Sequence, residues 1–306
     1  MSQVLAKSKV SSTNETLAQI IREQLKKYWD EAESYQKLLY FTGFLLLASA
    51  IFHTVVLIVT GGTLKGDVSF RKAISFSEAF GLTAISLAWF LTFVPKKRVI
   101  WWILSSIYAV ATFVEVFLVT MQVWRGVPSH FNFSTPFDTV VFSIMGISIG
   151  LHAPLILGVL LCSVFFLKAP TIFRWTITSG MLLLVISLVF GIVMIINNSN
   201  TIGLFGQMKV PHALALHAAQ VLPLLGLLLS FTNLSETKRT RFVIVGVLSY
   251  SALVGITAFQ AFNGYPIVVL SLPILLIFLM SAALLGITFL LVLNNLRLKR
   301  SVRNYR

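Results

Sequence analysis

Ionisable and amide side chains are scarce in the apolar part of this sequence, and several of them sit at matching depths. His53, Glu78, Glu115 and His217 each lie inside a long apolar block. Counted from the same end of their blocks, at 1.5 Å of rise per residue, all four fall roughly 7–11 Å deep. Gln220 stands three residues beyond His217 and so shares its helical face. An ionisable group inside a bilayer costs on the order of several kcal/mol unless it is paired or hydrated. Four at one depth on four segments therefore predict a common cluster. Two imidazoles and two carboxylates suit a proton relay, because histidine titrates near neutrality and a buried glutamate can be tuned toward it. They also suit a metal. His53 and His217 are the candidate ligands for a divalent ion or a b-type haem, with His152 or His212 as further donors. A third reading makes the same residues a structural hydrogen-bond network.

Spacing separates the two histidines of Pro211-His212-Ala213-Leu214-Ala215-Leu216-His217. Five residues apart, they point about 140° apart around a helix and do not readily share one ligand. His217 is expected to face inward with Gln220, and His212 to sit at the mouth. The polar connections add charge there. One contains Arg125-Gly126-Val127-Pro128-Ser129-His130 and runs on to Asp138. Arg125, His130 and His212 are the expected entrance residues, against the plainer reading of a helix-capping loop.

These residues need helices to position them, and composition says of what kind. The chain has 306 residues, 57% hydrophobic and 11% charged, with a mean hydropathy of +0.89. A soluble domain carries about 25% charge. The apolar residues come in blocks of about 20, the length that crosses a hydrocarbon core, and not in the alternating segments of a membrane β-barrel. Spans are expected at 38–60, 73–94, 99–122, 138–167, 172–196, 211–231, 241–262 and 267–293. Pro154, Pro223 and Pro273 then fall inside spans as kink sites, and Gly146 and Gly150 form a small face for close helix contact.

Net charge is +14, but its distribution argues against nucleic acid. Of the 24 Lys and Arg residues, nineteen lie in alternate segments that include both tails, and five in the remaining connections. That bias predicts cytoplasmic termini and an even number of spans. The single cysteine, Cys162, excludes an intrachain disulfide and a CxxC redox pair. A polar lead of 37 residues before the first apolar block is unlike a signal peptide. Within it Ser12-x-x-Glu15 has capping-box spacing. Leu17, Ile20, Ile21, Leu25 and Tyr28 then trace an amphipathic helix over 16–37, suited to a membrane surface or a protein partner.

The stretches Arg71–Leu82, Arg125–Asn132 and His212–Pro223 resemble a group of multi-pass bacterial membrane proteins with no known activity. The resemblance implies a bacterial plasma-membrane protein and no catalytic residue. The plan of eight spans with histidines at one end is also similar in outline to haem A synthases. Their paired Glu-x-x-x-His pattern and their outer-loop cysteines are missing here.

The sequence thus predicts an all-α, polytopic membrane helix bundle of about eight spans. A polar tail occupies 1–37, the transmembrane domain 38–293 and a basic tail 294–306. The leading functional expectation is a proton-coupled permease with a His/Glu site in the outer half of the bilayer. The alternatives are a haem- or metal-binding redox protein and a non-catalytic accessory subunit. The lipid bilayer is the expected environment, with a protein partner possible through 16–37.

Overall fold

The computed structural model describes residues 23, 26–66, 68–267 and 271–295. The capping-box motif, residues 16–22, 24 and 25 of the amphipathic segment, and the basic tail beyond Asn295 lie outside these. Each apolar block is a helix. They are α1 (Ser34–Val59), α2 (Arg71–Phe90), α3 (Arg98–Trp124), α4 (Pro136–Phe165), α5 (Thr171–Ile196), α6 (Lys209–Ser230), α7 (Glu236–Phe262) and α8 (Leu272–Asn294). All eight are long and apolar enough to cross a membrane. Large apolar side chains also cover the outside of the bundle, among them Phe41, Ile51, Ile58, Val110, Phe117 and Leu248. Helices that are apolar all round need an apolar solvent, and a lipid bilayer supplies it.

The helices run up and down, so the start of α1 and the end of α8 share one end of the bundle, the near face. The connections 60–70, 125–135, 197–208 and 263–271 lie at the far face. Local chemistry sets several boundaries. At the near face Glu33 opens α1 with a reciprocal capping box, its backbone N–H donating to Gln36 Oε1 at 2.9 Å. The Glu33 carboxylate also accepts from Lys96 Nζ at 3.1 Å and Arg98 Nη2 at 2.9 Å. The Lys96 and Arg98 bonds hold it below the usual carboxylate range. At the far face Thr135 caps α4 by accepting from the Asp138 N–H at 3.1 Å.

Two sequence expectations are corrected. Pro273 does not kink a span. It occupies the first turn of α8, where no backbone donor is lost, while Pro154 and Pro223 do lie within α4 and α6. Gly146 and Gly150 do not seat a neighbouring helix, since a Cβ on either would meet nothing within 4 Å. Close approach occurs elsewhere. A Cβ on Gly43 of α1 would lie 2.7 Å from the Gly81 carbonyl of α2, and one on Gly180 of α5 would lie 2.9 Å from the Ala218 carbonyl of α6.

The core runs through the middle of the bundle. Leu39, Leu87, Phe90, Tyr108, Leu155, Ile177 and Met181 are among its fully buried members. Helix α8 stands at the margin, burying only Ser281, Thr288 and Val292. One far-face connection carries an element that apolar periodicity did not indicate. Thr201–Ile202 pairs antiparallel with Gly206–Gln207. The hairpin lies so tightly on the Ala261 carbonyl that Gly206 has no room for a side chain.

Candidate functional site

A cavity of about 180 Å³ opens among α2 to α6 in the far half of the bundle. Its walls are largely apolar, with Phe76, Phe131, Phe142, Met145, Ile149, Met194 and Ile195 contributing. Its polar lining is Glu115 from α3, Lys72 from α2, His130 from the α3–α4 connection, Asn200, and Lys209 and His212 from α6. Gly146 and Gly191 leave room where larger residues would fill it. A second, deeper chamber of about 60 Å³ shares Ile149, Gly191 and His212 with the first and adds Thr83, Tyr108, His152 and Ser187.

Glu115 is fully buried, and neither carboxyl oxygen has a hydrogen-bond partner. His130 Nε2 lies 3.7 Å from Glu115 Oε1, beyond hydrogen-bond range. Most buried polar groups in folded proteins are bonded, so the unpartnered Glu115 carboxyl stands out. The connection that carries His130 is rigidly built. Ser129 and Asn132 are buried. The Ser129 hydroxyl lies 3.0 Å from His130 Nδ1, and Asn132 Nδ2 donates to the Pro128 carbonyl at 3.1 Å. Phe131 takes φ +55°, a conformation that bulky residues rarely hold without tertiary support. Burial lowers His130 to about 3, helped by the nearby positive charges of Lys72 and Lys209 and by His212. At neutral pH the ring is therefore uncharged.

Arg125, expected at the entrance, is committed to structure. Its Nη1 donates to Asp138 Oδ1 at 2.8 Å and also to Gln122 Oε1. Its guanidinium sits 4.7 Å from the centroid of Phe137. Gln122 Nε2 donates to the same Asp138 oxygen at 2.9 Å, and Thr135 Oγ1 donates to Asp138 Oδ2 at 2.7 Å. This network ties the end of α3 to the start of α4 and so holds the His130 connection over the cavity.

The other expected residues do not gather at Glu115. His53 is buried against α3, where Nδ1 donates to the Ser49 carbonyl at 2.8 Å and Nε2 accepts from Trp124 Nε1 at 3.2 Å. Both ring nitrogens are used, which makes His53 a poor haem or metal ligand. Glu78 is exposed on the outside of α2 and makes no hydrogen bond or ion pair with the described residues. The order within α6 reverses the sequence expectation. His212 lines both chambers, whereas His217 lines neither. His212 is drawn inward by Ser187, whose carbonyl lies 2.8 Å from Nδ1 and whose hydroxyl donates to the His212 carbonyl at 2.9 Å. The Gln220 amide lies between Thr83 Oγ1 at 3.3 Å and the carbonyls of Leu216 and His217 at 3.2 and 3.3 Å, with its nitrogen best placed toward the carbonyls. Among the described residues no group of three or more His, Cys, Asp or Glu side chains is arranged to hold a metal ion.

Sequence reasoning missed a polar stripe along α3. Ser105, Tyr108, Thr112, Glu115 and Gln122 are all buried. Steps of three, four and seven residues place them on one face, over roughly 25 Å of helix. His152 of α4 faces the middle of it, with Nε2 2.8 Å from Thr112 Oγ1 and its ring centroid 4.8 Å from that of Tyr108. The hydroxyls of Ser105 and Tyr108 have no hydrogen-bond partner. The spacing was readable, but serine, threonine and tyrosine are common in spans and gave no signal until His152 stood opposite them.

No family model, curated protein or solved structure matches this chain, so its function is argued from its own geometry.

Proposed function

We propose that this integral membrane protein is a proton-coupled permease, with the cavity around Glu115 as its solute and proton site. The observation that carries this reading is the orphaned Glu115 carboxyl, fully buried yet lining a cavity. A buried carboxyl that lines a cavity and makes no hydrogen bond is placed to load and unload a proton. Buried polar side chains continue from it toward the near face, with Thr112 beside His152 and then Tyr108 and Ser105. His130 offers a neutral ring beside the site, His212 adds a second imidazole, and Lys72 and Lys209 bring positive charge to it. We place the far face outside and both termini in the cytoplasm, because the near face carries most of the Lys and Arg residues.

Haem or metal binding by His53 and His217 gains no support, since His53 spends both ring nitrogens and no cavity is lined by both residues. The test is reconstitution into liposomes carrying a pH-sensitive dye. Glu115→Gln should abolish solute-dependent proton entry while the protein stays folded and monodisperse. Unchanged entry in that variant would end the proposal.

A further inference from the structure

The cavity also constrains what it could carry. Facing Glu115 are Lys72 from α2, His130 from the α3–α4 connection, and Lys209 and His212 from α6, while α4 and α5 line this cavity with no titratable side chain. Among the described residues Glu115 is the only acid in the lining, and Lys72 and Lys209 both line it close enough to His130 to lower it. The remaining wall is aromatic and aliphatic. At about 180 Å³ the space is below the usual range for drug-sized ligands. A cation would meet like charge from two lysines, and a sugar would leave most of its hydroxyls against phenylalanine and methionine. A small body with one negative end fits both parts of the lining.

We infer that this cavity takes a small organic monoanion with an apolar body, and takes it together with a proton on Glu115. The inference rests on the permease reading and names its substrate class. Two negative charges in one water-poor cavity repel strongly. The anion therefore binds best when Glu115 is protonated, and by linkage the bound anion raises the proton occupancy of Glu115. No covalent step is needed. The proton and the anion enter from one face and leave at the other, so a monoanion moves electroneutrally with its proton.

Benzoate is the probe, titrated calorimetrically into the full-length protein in mild detergent at constant ionic strength. The expected result is saturable binding that weakens by up to tenfold per pH unit once Glu115 ionises. Benzyl alcohol and benzylammonium should bind at least tenfold more weakly. Glu115→Gln should lose the pH dependence of benzoate affinity, and Gly146→Leu should block binding by filling the cavity. Equal binding of benzylammonium, or benzoate affinity independent of pH in the wild type, would overturn the inference without needing any variant to fold. Proton flux without benzoate binding would sink the substrate class and spare the permease. Benzoate binding without solute-driven proton flux would do the reverse.

Discussion

Replacing Asp138 with alanine tests how the site is held over its cavity. Asp138 is 2% exposed and accepts from Gln122 Nε2, Arg125 Nη1 and Thr135 Oγ1. Losing one partner of a buried pair costs about 3–5 kcal/mol, because the other charge is left stranded. Here Arg125 is 39% exposed and can turn to water, so the cost falls to about 2–3 kcal/mol. For a chain of this size that corresponds to a Tm lower by about 5 °C. Asp138→Asn keeps one acceptor and should lose about half as much. Thermal unfolding in detergent, followed by circular dichroism, gives the stability. Proteolysis within 126–135 reports whether the connection that carries His130 has come loose. An Asp138→Ala protein with wild-type Tm and wild-type protection of that connection would refute the reasoning, since the network would then contribute nothing.

Three further predictions follow from the same geometry. Burial, with the charges of Lys72 and Lys209, pushes His130 down to about 3 from an ordinary 6.5. The unfolded chain therefore binds more protons, so the stability contributed by neutral His130 is complete above about pH 6.5 and is lost as pH falls toward 3. Chemical unfolding at pH 7 and pH 4 should show the wild type losing roughly 2–3 kcal/mol more than His130→Gln, and equal losses would contradict the burial argument. Gly180→Ala should destabilise by about 1–3 kcal/mol, because its Cβ meets the Ala218 backbone, whereas Gly146→Ala should be neutral in the same melt. His53→Phe should lower Tm by a few degrees through loss of the Ser49 and Trp124 bonds, with transport per folded molecule unchanged.

The spans were legible because membrane thickness sets a length that apolar blocks must match, and all eight blocks are helices. Their ends were less so. Helix α7 begins at Glu236 and extends through Lys238 and Arg239, which hydropathy assigned to a loop. The Ser235 N-cap position and the charged first turns continue the helix into water. Glu115 stood out by type and depth, and it is buried beside a cavity that His130 and His212 also line. Which side chains face inward was not. These helices are apolar on every side, so no periodicity distinguishes the lipid face from the core face. That is why Glu78 was grouped with Glu115 although it lies on the outside. It is also why His217 was preferred to His212, whose orientation is set by Ser187 on a different helix. Arg125 was expected at the mouth, but its commitment to Asp138 depends on how α3 and α4 meet, and spacing alone does not fix that.

The most direct test of the central claim is proton flux in liposomes that contain wild-type, Glu115→Gln or Glu78→Gln protein, driven by an inward gradient of benzoate, with acetate and benzylammonium run as comparisons. The account predicts benzoate-dependent proton movement faster than in protein-free liposomes for the wild type and Glu78→Gln, and no faster than in protein-free liposomes for Glu115→Gln. Flux above that of protein-free liposomes in Glu115→Gln, or flux that fails only in Glu78→Gln, would contradict it.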